Sequence, residues 1–467
     1  MTAQAQQSES EAAFGIIGMG TMGSALAQNL SSRGVSVAVW DRDPAFLVPF
    51  GRQASPTLEA LVARLQRPRK LLLMITAGAP VDAVTDVLLP MLDRGDVLMD
   101  GGNSLFLDTQ RRVADASRRG IHFCGVGISG GEEGARHGAS LMFGGTEEAW
   151  ALVQRELELM AAQVEGSPCA ARVGSDGAGH FVKTVHNGIE YADLQLLAET
   201  YDLLRKREGR SASQIADLFD SWRQGPLSSF LLDNAVRVLR RGDDETGGPL
   251  VDQVMDRAAQ KGTGRWTVEA ALALGVPVPS IAQAVDARLM SSKREERLGA
   301  AKVLGGPRPP TGTEAPLDPR DLHDALLGAR IVSYAQGFAL ISAASRAHGW
   351  NTPLEALARI WRGGCIIRSV LLGPIRDALL AEPELPNLLL APALRDEVLR
   401  CEPGWRRTLA MGVMHGVPMP VLGASLAYFD AYRSDSLPQN LTQAQRDAFG
   451  AHTYERVDRE GSHHTDW

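Results

Sequence analysis

Lys183, His186, Asn187 and Glu190 stand at i, i+3, i+4 and i+7 within the stretch KTVHNGIEYA. On an α-helix this spacing gathers an amine, an imidazole, an amide and a carboxylate into one stripe, where core-facing apolar residues ordinarily sit. The opposite stripe, Val182, Val185, Ile189, Ala192 and Leu196, is apolar, which taken alone fits a solvated polar face. Yet Leu194, Leu197, Tyr201 and Leu204 continue the polar stripe's own face. A helix apolar on both sides is buried, so the polar patch is expected to line a cleft. Buried polar groups need partners, and four unlike ones together imply a polar ligand.

The chemistry of such a group is acid–base work. A lysine whose pKa falls on burial can act as a general base at neutral pH. A carboxyl raised by the same burial can act as a general acid. With a nicotinamide nearby, base plus hydride acceptor means oxidation of an alcohol.

A site for that acceptor lies near the N-terminus. GIIGMGTMGSALAQNL contains Gly18-x-Gly20-x-x-Gly23, with Met19 and Met22 between the glycines, after a predicted strand and opening a predicted helix. The first glycine makes the turn, the second admits a pyrophosphate to the backbone, and the third permits close helix–strand packing. The phosphate then meets free N–H groups at the helix start. About twenty residues on, the second strand ends in VWDRDP. Asp41 there suits a ribose 2′-hydroxyl and hence NAD, whereas Arg42 suits a 2′-phosphate and hence NADP. GVGISG (125–130) repeats the glycine pattern without a following acid, and is expected to be a mobile loop offering N–H groups to an anion.

These groups must be carried by a larger frame. From Phe14 to about Ser175, short apolar runs (FGIIGM, VSVAVW, KLLLMI, VLMDGG, IHFCGV) alternate with helical stretches, the pattern of a doubly wound, Rossmann-type α/β sheet. Gly34 is placed to end the first helix. Beyond Gly179 the pattern turns helical, over 180–208, 213–240, 249–260, 265–274, 279–292 and 322–348. The first and last of these are loosely alike. GGPRPPTGTEAP (305–316) is a predicted loop. We expect three parts: a dinucleotide-binding domain (1–177), an all-α domain (178–434), and a C-terminal tail (435–467).

Bulk properties narrow the class. The chain has 467 residues, 44% hydrophobic and 22% charged, and carries a net charge of −7, which gives no general field for nucleic acid. Cys124, Cys169, Cys365 and Cys401 form no CxxC pair, so a reducing cytoplasm fits. No apolar run approaches the ~20 residues needed to span a bilayer. The polar start MTAQAQQSESEAA lacks signal-peptide features and is expected to be a frayed leader.

The motifs GIIGMGTMGSALAQNL, DGGNS, GISGGEEGARHGASLMFGG, KTVHNGIEYADLQL, QKGTGRWT and FGAHTYER, in this order, closely resemble the 6-phosphogluconate dehydrogenase family, from about Phe14 to Trp467. WRGGCIIRS matches too, without catalytic duty. The resemblance implies oxidative decarboxylation of 6-phosphogluconate to ribulose 5-phosphate and CO2 in the pentose phosphate pathway. It implies Lys183 as base and Glu190 as acid. No metal is implied, because the β-keto acid is its own electron sink and the lysine stabilises the developing oxyanion. Ser129, Gly130 and Gly131 resemble the substrate-carboxylate loop, with His186 beside it. Asn103 and Asn187 resemble contacts to sugar hydroxyls and nicotinamide, and Tyr191, Lys261, Thr263 and Arg288 a phosphate pocket. Arg446 and His452 resemble the residues of a tail that enters the neighbouring subunit's site, which implies a homodimer. The resemblance makes 178–434 the substrate and dimerisation domain.

This chain departs from the family pattern at the cofactor's ribose. Asp41-Arg42-Asp43 stands where the family commonly shows Asn-Arg-Thr, and Thr76 where it often shows Lys. Added carboxylates and a lost cation weaken 2′-phosphate binding. NADP is the family default, and NAD or dual use is a live alternative here. Two other functions compete. A β-hydroxyacid dehydrogenase would leave Lys261, Arg288 and Arg446 without a role. A nicotinamide-binding sensor would be expected to show a broken stripe, yet Lys183 and Glu190 are both present.

Overall fold

The computed structural model describes residues 11–306 and 316–467. Nearly all of the expected leader and of the 305–316 loop therefore lies outside the described residues.

Short apolar runs form the strands of a seven-stranded sheet: β1 (Phe14–Ile17), β2 (Val37–Trp40), β3 (Lys70–Leu73), β4 (Val97–Asp100), β5 (His122–Ser129), β6 (Ser140–Gly144) and, beyond a small hairpin of β7 (Gln163–Val164) and β8 (Ser167–Pro168), β9 (Ala170–Gly174). Their order is β2-β1-β3-β4-β5-β6-β9. All neighbours run parallel except β5 and β6, which are antiparallel. Side chains alternate between two buried layers, Phe14 and Ile16 to one and Ile17 to the other, as expected of a sheet covered on both faces. The covering helices are α1 (Thr21–Ser32), α2 (Leu58–Ala63), α3 (Ala79–Leu88), α4 (Phe106–Ser117), α5 (Gly131–His137) and α6 (Glu147–Met160). Gly34 follows α1 with φ +80°, the left-handed turn foreseen for it.

One expectation here is corrected. Gly125 to Ser129 is not a mobile loop but the buried second half of β5. Its glycines answer to packing. A Cβ on Gly125 would lie 2.7 Å from His180 Nδ1, and one on Gly127 2.6 Å from Lys183 Cβ. The strand is bare so that a helix can lie on it.

That helix is α7 (Ala178–Glu208), 31 residues long. It packs against α13 (Pro319–His348), and the buried Arg330 guanidinium bonds Asp193 across the pair at 2.8 Å. By length and composition α13 is apolar enough to cross a membrane, but 89% of that window is buried within the protein. Around this pair lie α8 (Ala212–Ser221), α9 (Phe230–Arg240), α10 (Thr263–Ala273), α11 (Pro279–Ser292), α12 (Arg294–Leu304), α14 (Leu354–Ile360), α15 (Leu372–Ala381), α16 (Pro392–Met414) and α17 (Pro420–Tyr432).

Two helical expectations fail. The 213–240 segment breaks between α8 and α9, where Gly225-Pro226 cannot continue a helix. The 249–260 segment keeps one 3-10 turn, Leu250–Asp252, because Val254 and Met255 find no core and remain exposed. Residues 439–467 form α18 (Gln439–Gly450) and an antiparallel pair, β10 (Tyr454–Glu455) and β11 (Ser462–His463).

Candidate active site

The glycine fingerprint forms the β1–α1 turn. Gly18 has φ +95°, and a Cβ on Gly23 would collide with the Gly18 carbonyl. Gly20 caps α1 without any side chain accepting its first N–H groups, which leaves donors aimed outward as an anion requires. A cavity of about 610 Å³ opens beside this turn, lined by Gly18, Gly20, Asp41, Arg42, Asp43 and Thr76 among others. The residues that remain fit a dinucleotide.

Asp41 is held on both oxygens. Met19 N–H donates to Oδ2 at 2.6 Å, and Asp43 N–H to Oδ1 at 2.9 Å. Asp43 itself accepts from Ala45 N–H at 2.9 Å, opening the next helical turn. Met19 is buried and Met22 half-buried, so both act as packing beneath the turn. Sequence reasoning missed Trp40, Phe46, Met74, Ile75, Pro80, Ala83 and Val84, which give the cavity its apolar wall. Met74 and Ile75 directly follow β3. The rule that ligands lie outside the carboxyl ends of parallel strands is the signal that finds them.

Asn103 is exposed on the loop after β4, between two anchored neighbours. Gly102 N–H and Ser104 Oγ–H both donate to the buried Asp100 carboxylate, at 2.9 and 2.6 Å. The loop is thereby closed around Asn103.

Across the sheet, α7 buries Lys183, His186 and Asn187 and leaves Glu190 partly open. His186 Nδ1 is 3.2 Å from Asn187 Oδ1, and its Nε2 is 3.2 Å from Ser129 Oγ. With an amide oxygen as acceptor, Nδ1 carries the proton and Nε2 accepts from the serine. Burial pushes the imidazole well below its ordinary pKa, which keeps it neutral and fits that arrangement. Gly130 caps α5, and Gly131 opens that helix beside Ser129.

Lys183 and Glu190 are displaced in opposite directions. Burial lowers the Lys183 ammonium, opposed by the nearby Glu190 carboxylate. Burial raises the Glu190 carboxyl, opposed by Lys183 and Arg288. Desolvation prevails over attraction in both.

Tyr191, Thr263 and Arg288 gather at the far end of the stripe. The Arg288 guanidinium lies 3.4 Å from the Tyr191 ring centroid and donates to the Ala259 carbonyl at 3.2 Å. Gly264, next to Thr263, meets the Tyr191 ring so closely that a Cβ would come within 2.6 Å. Lys261 is exposed just before α10. Arg446 and His452 are exposed on the tail, and their partners there are tail residues.

The WRGGCIIRS segment has more to do than the sequence suggests. Ile366 N–H donates to Ser129 Oγ at 3.4 Å, and the buried Cys365 thiol, pushed up to about 12 by burial, donates to the Trp361 carbonyl at 3.0 Å. Its adjacent glycines, which let the Gly364 carbonyl reach Ser140 N–H at 3.1 Å, were the available signal.

Residues 13–174 match the model of the NAD binding domain of 6-phosphogluconate dehydrogenase, and residues 179–467 that of the C-terminal domain of 6-phosphogluconate dehydrogenase. The decarboxylating 6-phosphogluconate dehydrogenase of Synechococcus elongatus is 50% identical over 97% of this chain and 99% of its own. The NADP(+)-dependent, decarboxylating enzyme of Bacillus subtilis is 46% identical over 97% of this chain and 98% of its own. The Plasmodium falciparum 6-phosphogluconate dehydrogenase, solved in its apo form, with its cofactor NADP+ and with its substrate 6-phosphogluconate, superposes with a TM-score of 0.95. It is 37% identical, covering 97% of this chain and 100% of that one.

Proposed function

Because this chain belongs to the 6-phosphogluconate dehydrogenase family, we propose that Lys183 and Glu190 carry the proton transfers of that family's reaction. The reaction is the oxidative decarboxylation of 6-phosphogluconate to ribulose 5-phosphate and CO2 with reduction of NADP, a step of the pentose phosphate pathway.

Lys183 Nζ, where burial favours the neutral amine, takes the proton of the C3 hydroxyl. Bound NADP supplies the acceptor for the hydride that leaves C3. The C1–C2 bond then breaks, CO2 departs, and the bonding electrons move toward the C3 oxygen. Lys183, now an ammonium, stabilises that oxygen as its charge grows. Glu190, where burial favours the protonated carboxyl, gives its proton to the carbon that lost CO2, which is C1 of the resulting enediol. The observation that carries this assignment is the placement of Lys183 and Glu190 on one face of α7, where burial displaces the two in opposite directions.

Around them Ser129, Gly130, Gly131 and His186 hold the substrate carboxylate, and Asn103 and Asn187 bind the sugar hydroxyls and nicotinamide. Tyr191, Lys261, Thr263 and Arg288 hold the phosphate. Gly18, Met19, Gly20, Met22, Gly23, Asp41, Arg42, Asp43 and Thr76 form the cofactor end. The division of labour is 1–177 for cofactor, 178–434 for substrate and dimerisation, and 435–467 for a tail whose Arg446 and His452 complete the neighbouring subunit's site. Exposed apolar side chains support an association with a second copy: Leu272, Leu298, Val303 and Leu304 on α10 and α12, and Phe449 and Val457 on the tail. Four buried, unpaired cysteines fit a reducing compartment such as the cytoplasm.

The test is purified protein with 6-phosphogluconate and NADP, following reduced nicotinamide and released CO2, beside Lys183→Met. Turnover in the parent and none in the variant, with cofactor binding retained, is expected. Near-normal turnover by the variant removes Lys183 as the base.

A further inference from the structure

Helix α18 has one buried side chain, and it is a carboxylate, Asp447. Its apolar residues Leu441 and Phe449 stand exposed. A helix ordinarily buries its apolar stripe, and the hydrogen bonds account for the inversion. Asp447 Oδ1 accepts from Thr453 N–H at 2.9 Å and faces His464 Nδ1 at 2.8 Å. Oδ2 accepts from Trp467 Nε1–H at 2.9 Å and Thr465 N–H at 3.1 Å. The Asp447 carbonyl accepts from Ala451 N–H at 2.8 Å, which turns the chain out of the helix through left-handed backbone at Ala451 and Thr453.

Arg446 precedes this hub and His452 lies inside the turn it closes. Arg446 donates to Gln443 Oε1 at 3.1 Å, and Gln443 Nε2 donates to the Thr453 carbonyl at 2.6 Å. The His452 ring lies over Gly450, where a Cβ would come within 2.8 Å of Nε2. Both ends of the tail thus close on one acid. Residues 453–455 run out from it, and 462–467 return to it through the β10–β11 pair.

We propose that Asp447 is a positioning residue that builds Arg446 and His452 into a preformed hook, braced by residues 462–467 folding back onto its carboxylate. This rests on the reading that the tail completes a neighbouring subunit's substrate site. A segment ordered beforehand loses less conformational entropy when it docks. The carboxylate orders it with bonds that are stronger for being charge-assisted.

The experiment uses the full-length enzyme and compares Asp447→Ala with Arg446→Ala. Asp447→Ala is expected to raise the KM for 6-phosphogluconate about tenfold, the change one lost hydrogen bond to a charged group brings, with the KM for NADP unchanged. Amide protection at Thr453 and Thr465 is expected to fall in hydrogen exchange. A lowered melting temperature with unchanged KM for 6-phosphogluconate overturns the proposal and makes Asp447 a stabilising residue alone. An effect of Arg446→Ala without one of Asp447→Ala overturns the hook and leaves the shared site standing. No effect of Arg446→Ala removes the shared-site reading and the hook with it. Should Asp447→Ala fail to fold, His464→Asn and Trp467→Phe each disturb one bond at the carboxylate and are expected to shift KM in the same direction. Both leaving it unchanged overturns the proposal.

Discussion

The Arg288 guanidinium stacks on the Tyr191 ring, 3.4 Å from its centroid, and is steadied by the Ala259 carbonyl. An arginine placed flat on an aromatic face presents its remaining N–H groups in one plane, the geometry for gripping two oxygens of a phosphate. Lysine cannot reproduce it. Arg288→Lys is therefore expected to raise the KM for 6-phosphogluconate about tenfold or more while kcat changes little. Steady-state kinetics with both substrates varied checks this, and an unchanged KM removes Arg288 from the phosphate end.

With the proton transfers proposed for Lys183 and Glu190, activity requires the amine neutral and the carboxyl protonated. kcat/KM should therefore fall toward low pH as the lysine gains a proton, and toward high pH as the glutamate loses one, each limb reporting the coupled pair. An ionised Glu190 would favour the charged form of Lys183, but the working form holds that carboxyl protonated. Glu190→Gln should therefore abolish the alkaline limb and reduce kcat about 10²- to 10⁴-fold, without moving the acid limb to lower pH. An alkaline limb that survives in the variant would contradict the pairing.

Gly127 lets Lys183 approach the sheet. A Cβ there would meet Lys183 Cβ at 2.6 Å and the Gly179 carbonyl at 2.7 Å. Gly127→Ala is expected to cost about 3 kcal/mol in stability, the upper end for overpacking, and to lose kcat by displacing the base. Thermal melting and kinetics at a permissive temperature separate the two effects.

Asp41 places a fixed carboxylate at the cofactor's ribose end. Asp41→Asn keeps one oxygen for the Met19 N–H and removes the charge that opposes a 2′-phosphate. The ratio of NADP to NAD affinity should rise about tenfold, since one like charge near contact costs upward of ~1.4 kcal/mol. Fluorescence titration of both nucleotides measures it without turnover. An unchanged ratio would leave selectivity to Arg42 and Thr76.

How much of this the chain displays in one dimension depends on how local each cause is. The β1–α1–β2 unit and the α7 stripe were legible because glycine spacing and helical period are written in consecutive residues. β6 and β9 were not, because SLMFG and AARVG carry too few β-branched residues to stand out. GVGISG misled for a related reason. Gly125 and Gly127 make room for α7, a partner some fifty residues on, and in isolation they mimic a loop. The bond from Ile366 to Ser129 and the bonds of Asp447 are likewise tertiary facts. Asp447 in particular gives no sign, among so many charged neighbours, that it is the one kept from solvent.

The seam between nucleotide and helical halves lies at about residue 177 in the sequence, but not in space. α7 begins there and spends its first turns, Gly179 to Lys183, filling the glycine-lined groove of β5. A fragment ending at 177 would leave that groove empty, and one beginning at 178 would start with the helix that carries Lys183 stripped of its support. The two halves are therefore not interchangeable cassettes. A chimaera that takes its nucleotide half from a relative must also take that relative's helix as far as residue 190, or redesign the groove.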